Sequence, residues 1–238
     1  MIRAGRLGAL VCLLLAGASA AQPPRKGGRN MGDGYADPSA VITAEMAFSR
    51  LATEKGQWTA FAATSAKDAV MFMPRAVFAQ RWLKGRKNPA APVRWQPYKI
   101  FMSCDGGYAV STGAWQHPDG SSGWFTTIWR REGKKGVYHW ILDHGANLTT
   151  ALEAPEAITA RVGECRRRGR PGPTAVVPVT LPLVPGQPLP SSRDEASADG
   201  TLRWRWAVAE DGSRTLDAWL RTGEGEEQVV SDRAEAGK

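Results

Sequence analysis

The sequence predicts an α+β domain with N-terminal helices on a curved antiparallel sheet, followed by a small β-hairpin appendage. Three patterns predict it. Apolar residues recur at helical spacing from Val41 to Ala52. Runs rich in Tyr, Trp, Val, Ile and Thr then alternate with glycine turns from Val93 to Asp143. After a proline-rich stretch, a strict alternation of apolar and polar residues returns at Leu202. Helices first and a meander afterwards place the helices on one sheet face.

Asp37 suits an N-cap with Pro38 at the first helical position, and Val41, Ala44, Phe48, Leu51 and Ala52 follow on one face until Gly56 ends the helix. A second short helix carries Trp58, Phe61 and Ala62. Ala69 to Met73 has the length of a buried strand and stops at Pro74. Ala76 to Lys84 reads as a third helix ending at Gly85. Strands are then expected at Val93–Trp95, Tyr98–Ser103, Tyr108–His117, Gly123–Arg131 and Val137–Asp143, with turns at Asp105-Gly106-Gly107 and Pro118-Asp119-Gly120. Residues 161–200 form an Arg- and Pro-rich linker. Leu202, Trp204, Trp206 and Val208 alternate with arginines, Asp211-Gly212 turns the chain, and Leu216, Ala218 and Leu220 reply, with a third short strand from Glu227 to Ser231.

A chain of 238 residues is long enough to bury a core. Its 26 glycines and 16 prolines, without period, exclude collagen and fall below a low-complexity chain. Residues 1–20 read as a cleaved signal peptide: Arg3 and Arg6, an apolar run from Leu7 to Leu15, then Ala18-Ser19-Ala20. The mature chain is therefore expected to start near Ala21, with a flexible lead-in over 21–36, in the periplasm or outside the cell. No later run is long enough to span a bilayer. Losing Cys12 with the signal leaves Cys104 and Cys165, an even pair expected to bridge in an oxidising compartment. The net charge is +8, and the run Arg166, Arg167, Arg168 and Arg170 reads as a solvated loop, so no nucleic-acid partner is expected.

The helix with Glu45 and Phe48 is followed by Asp68 to Pro74, by Trp95-Gln96-Pro97, and by Gly107-Tyr108 with Thr112 to Trp115. Thr127 to Arg131 and Trp140 to Asp143 complete the series. On these motifs residues 41–146, within a domain spanning 37–160, resemble an NTF2-like domain of the SnoaL-like or DUF4440 kind. The resemblance implies a sheet wrapped around a helix, enclosing a conical, mostly apolar pocket, and it implies a homodimer paired through the sheet face. Activity does not follow, because the fold hosts isomerases, cyclases, dehydratases and non-catalytic binders.

Candidate catalytic residues are Asp143 and His144, expected at the end of the last strand of the domain, and Tyr108 as a hydroxyl donor. Trp115, Trp140 and His139 are candidates for the pocket lining. In a regular strand His139, Ile141 and Asp143 share one face, and Trp140, Leu142 and His144 the other. Asp143 and His144 then cannot serve one pocket, and His139 lies roughly 13 Å from Asp143, too far to share a metal ion. Neither metal nor cofactor is expected. Each residue also has a plain structural role: Asp143 as a strand-end acceptor, His144 as a surface or strand-end residue, the tryptophans as core. The sequence thus favours an exported protein that binds a small, mostly apolar ligand without catalysis. An acid–base enzyme acting on a carbonyl-type ligand is the alternative. A third reading is an interaction subunit docking through the Trp204/Trp206 hairpin.

Overall fold

The computed structural model describes residues 36–133, 136–165 and 181–236. The signal segment, almost all of the lead-in and the arginine run lie outside these residues. Three helices come first: α1 (Pro38–Lys55), α2 (Gln57–Thr64) and the short α3 (Ala79–Leu83). The strands are β1 (Ser65–Phe72), β2 (Ala76–Phe78), β3 (Arg94–Met102), β4 (Tyr108–Gln116), β5 (Ser122–Glu132), β6 (Val137–Leu148) and β7 (Thr159–Val162). After them come β8 (Ser192–Ala196), β9 (Leu202–Val208), β10 (Arg214–Thr222) and β11 (Gly225–Ala234).

Asp37 caps α1 through a 3.0 Å bond from the Ser39 amide to its carboxylate, and Pro38 opens the helix. The helix buries Val41, Glu45, Phe48 and Ala52, one stripe at coiled-coil-like spacing. Gly56 ends it at φ 97°, where a Cβ would also stand 2.3 Å from the Asn88 side chain. That amide has a use: Asn88 Oδ1 accepts from the Trp58 and Thr59 amides at 2.8 and 3.1 Å, capping α2 from 29 and 30 residues away.

The expected class, helices on an antiparallel sheet with a hairpin appended, is corrected. Strand makes up 47% of the described residues and helix 17%, so the molecule is mostly β. The first sheet has seven strands in the order β2-β1-β6-β5-β4-β3-β7 and is mixed, with β1 parallel to β6 and β7 parallel to β3. The appendage is a four-stranded antiparallel sheet, β11-β10-β9-β8, because residues 192–196 of the expected linker pair with β9.

Local differences have local causes. The helix expected over 76–84 is half strand: Pro74 and a hydrogen bond from the Met73 N–H to the Arg75 carbonyl turn the chain back, and Ala76–Phe78 pairs with β1. The two strands expected at 93–103 are one, with a bulge between Pro97 and Lys99 where the missing proline N–H costs no ladder bond. Strand β6 continues to Leu148, so Asp143 and His144 lie within it.

The second sheet covers the outer face of the first. Trp204 and Trp206 are 1% exposed. Their rings meet Tyr108 and Phe72 at 5.1 and 5.6 Å. The seam is stitched by backbone and side-chain bonds: Cys104 N–H to Thr201 Oγ1 (2.8 Å), Asp105 N–H to Asp199 (2.9 Å) and Glu164 N–H to the Arg221 carbonyl (3.0 Å). Cys104 and Cys165 are disulfide-bonded beside it, with Cα atoms 5.3 Å apart. Such a bond is compatible with an oxidising, extracellular compartment. Among the described residues no helix is long and apolar enough to cross a membrane.

Candidate functional site

The inner face of the first sheet and the first two helices enclose a cavity of about 410 Å³, within the range of small-molecule sites. Its back wall is set by α1. Phe48 packs edge-on against Phe61 and Trp95, at 4.8 and 4.7 Å between ring centroids. Trp58 reaches the cavity from the capped end of α2, and Met71 comes from β1. Trp115 lies across Gly123, where a Cβ would stand 2.3 Å from the indole, and donates Nε1–H to the Trp124 carbonyl at 3.1 Å. Phe125 and Thr127 complete the wall from β5, and Gln57, His117, Asp119 and Asn147 supply polar groups.

Asp143 and Asp119 are the carboxyl groups of the lining, and Asp143 is the buried one. Thr127 donates its hydroxyl to Oδ1 at 3.0 Å, the one side-chain hydrogen bond the carboxyl receives. The surface it keeps opens into the cavity, with dense protein around it. Burial pushes its pKa up to about 7, against the Thr127 hydrogen bond and with help from the negative charge of Glu45. No Lys or Arg stands among the described residues lining the cavity.

Glu45 sits behind this wall, fully buried on the apolar stripe of α1. Three donors converge on it: Trp95 Nε1–H at 2.8 Å, Ser111 Oγ–H at 2.5 Å and Trp129 Nε1–H at 3.2 Å. Burial pushes its pKa up and the three hydrogen bonds oppose that shift. Sequence reasoning gave Glu45 no role, although its position on the stripe of Val41, Phe48 and Ala52 was the available signal.

The other candidates are dispersed. A bulge between Ile128 and Trp129 leaves Ile141 as the extra residue of β6, so Trp140 pairs with Trp129 and Asp143 with Thr127. This corrects the parity expectation: Trp140 and Asp143 share the inner face, while His139 and His144 are on the outer one. Trp140 is fully buried and donates Nε1–H to Thr64 Oγ1 at 3.0 Å, outside the cavity lining. Tyr108 and Trp115 are seven residues apart on β4 and so face opposite ways; Tyr108 packs on Trp204. His144 lies between the sheets, in ring contact with Phe72 and Trp124 at 5.3 and 5.0 Å and 3.9 Å from Asp232. Of the six candidates for catalysis or pocket lining, the cavity brings together Asp143 and Trp115. Gln57, Trp58, Trp95 and Thr127 join them, and none of these four was singled out as a pocket residue. Among the described residues no group of three metal-ligating side chains forms.

No family model matches the sequence, and the search of curated proteins finds no relative. Among solved structures, the chain is similar to a protein of unknown function with a cystatin-like fold from Methylobium petroleophilum PM1. The identity is 10% and the TM-score 0.35, over 52% of this chain and 86% of that one.

Proposed function

We propose that the chain binds a small, mostly apolar molecule in the 410 Å³ cavity, with Asp143 and Thr127 as its polar anchor. The observation that carries this reading is a carboxyl group in the lining of an aromatic-walled cavity with one side-chain donor, Thr127. A carboxyl kept only for structure is surrounded by donors, as Glu45 is. The kinship of residues 41–146 to NTF2-like domains and export through residues 1–20 belong to the same proposal. Native mass spectrometry of the gently purified protein tests it. A retained small molecule is expected, lost when Asn147→Trp, on the same face of β6 as Asp143, narrows the cavity; an empty cavity that also takes up no added apolar probe refutes it.

One observation favours a second reading, proton transfer. A carboxyl titrating at about 7 is matched to general acid–base work at neutral pH. Asp143 then acts without His144 and Tyr108, which face the second sheet. Turnover of an enolisable carbonyl compound that Asp143→Asn abolishes is the outcome this reading requires. Docking of a partner through Trp204 and Trp206 finds no support, because both indoles are buried within the chain.

A further inference from the structure

Resting on the binding reading above, we infer that the cavity selects an organic cation: an apolar amine whose ammonium group pairs with Asp143 among the surrounding indoles. The inference comes from the distribution of charge. The protein as a whole carries +8, yet no Lys or Arg stands among the described residues that line the cavity. The charged groups there are Asp143 and Asp119, with His117 as the one basic candidate. His117 is held by Asp119, Nδ1 to Oδ2 at 3.0 Å, so any charge it gains is balanced locally. A cavity of this makeup in a basic protein repels anionic ligands and offers a cation its only strong electrostatic partner.

The walls fit the same ligand. Trp58, Trp95 and Trp115 line the same cavity as Asp143, and indole is the best side-chain partner for an ammonium group through its ring quadrupole. Gln57 Oε1 accepts from the Val93 amide at 3.1 Å, so the carboxyl of Asp143, not this amide oxygen, is the acceptor an ammonium group meets. The Thr127 hydroxyl is committed to Oδ1 of Asp143, and Oδ2 carries no side-chain hydrogen bond from Thr127. For an apolar ligand bearing a carboxylate, the described residues of the wall offer no Lys or Arg.

Binding of an amine is coupled to a proton. Asp143 is half protonated near pH 7 in the empty protein and must be ionised to pair with the ammonium. The groups that face it are Glu45 from α1, whose charge raises it, and the uncharged Thr127 and Met71 from β5 and β1. Asp119 and His117 come from the β4–β5 turn. Amine affinity therefore rises with pH through 7, by about tenfold between pH 6 and pH 8.

Isothermal titration calorimetry with three matched probes tests the inference: 2-(2-naphthyl)ethylamine, the corresponding alcohol 2-(2-naphthyl)ethanol, and 2-naphthylacetate. The expected order is amine over alcohol by about 10- to 100-fold, with the carboxylate weakest, as for a charge-assisted hydrogen bond in a cavity. Asp143→Asn is expected to bring amine and alcohol level and to remove the pH dependence of amine binding. In the wild-type protein the pH profile gives an independent reading that needs no variant. If none of the probes binds at any pH, the binding reading itself falls. If alcohol or carboxylate binds as tightly as the amine, or Asp143→Asn leaves the amine preference intact, the cation inference is overturned while the binding site stands.

Discussion

Asp143 and His144, consecutive on β6, work in separate environments: the carboxyl is joined by Thr127 in the cavity, and the imidazole stands 3.9 Å from Asp232 between the sheets. One peptide unit therefore links the cavity to the sheet interface. The two groups titrate with opposite consequences.

Asp143 has a folded-state pKa of about 7, above its ordinary value of 3.8. The folded protein binds more protons than the unfolded chain between these values, so this group's contribution is greatest below pH 4 and is lost as pH rises through 7. Asp143→Asn is expected to stabilise the protein at pH 8 by roughly 2 kcal/mol, after allowing for water in the cavity. Urea unfolding of both proteins at pH 5 and pH 8 checks it; equal differences at the two pH values contradict the assignment.

His144 behaves in the opposite sense. Burial holds its pKa below 6.5, with Asp232 opposing and Arg214 reinforcing that shift. The unfolded chain then takes up the proton first, and stability falls as pH drops below 6.5. His144→Phe keeps a ring between Phe72 and Trp124 and is expected to flatten the loss of stability between pH 6.5 and 5. An unchanged acid slope in thermal unfolding refutes this.

Glu45→Gln tests the buried carboxylate. Both oxygens of Glu45 accept from donors, so the amide –NH₂ of Gln either meets the Trp95 N–H or makes the Ser111 hydroxyl turn round to accept, and a bond is lost in either case. The expected cost is about 2–3 kcal/mol despite equal size. Denaturant titration measures it, and a neutral substitution shows that the carboxyl is held protonated.

Removing the disulfide by Cys104→Ser together with Cys165→Ser opens a loop spanning 61 positions. The chain-entropy relation gives a loss of about 4 kcal/mol. A drop in melting temperature of about 8–16 °C is expected for a chain of this size. Scanning calorimetry decides it, and a thiol assay on the wild-type protein under denaturing conditions is expected to find no free Cys104 or Cys165.

The first helix was legible because its signals are local: Asp37, Pro38, the stripe to Ala52 and Gly56 act within a few residues. The β4–β5 hairpin was legible for the same reason, with Gly120 at its turn. What escaped depends on distant partners. Nothing near Thr159 announces a strand parallel to β3, and Ser192–Ala196 is polar enough to read as loop until β9 lies beside it. The bulge at Ile141 set which residues share a face, because one extra residue moved Trp140 and Asp143 onto the same side. Trp140 there donates to Thr64, 76 residues earlier, a partner that a period-of-two reading of β6 does not contain. Asp143 itself was found from its residue type and its position on β6, the part of the site the sequence does hold.

The second sheet occupies the outer face that the expected homodimer needs, and it is tethered to that face by residues after Cys165. Its local concentration is set by the tether, so dilution leaves the cover in place, unlike a second subunit. The disulfide ends before the tether begins. A single cut in residues 181–191 therefore converts the cover into a separate fragment, and makes burial of Trp204, Trp206 and His144 a matter of mass action.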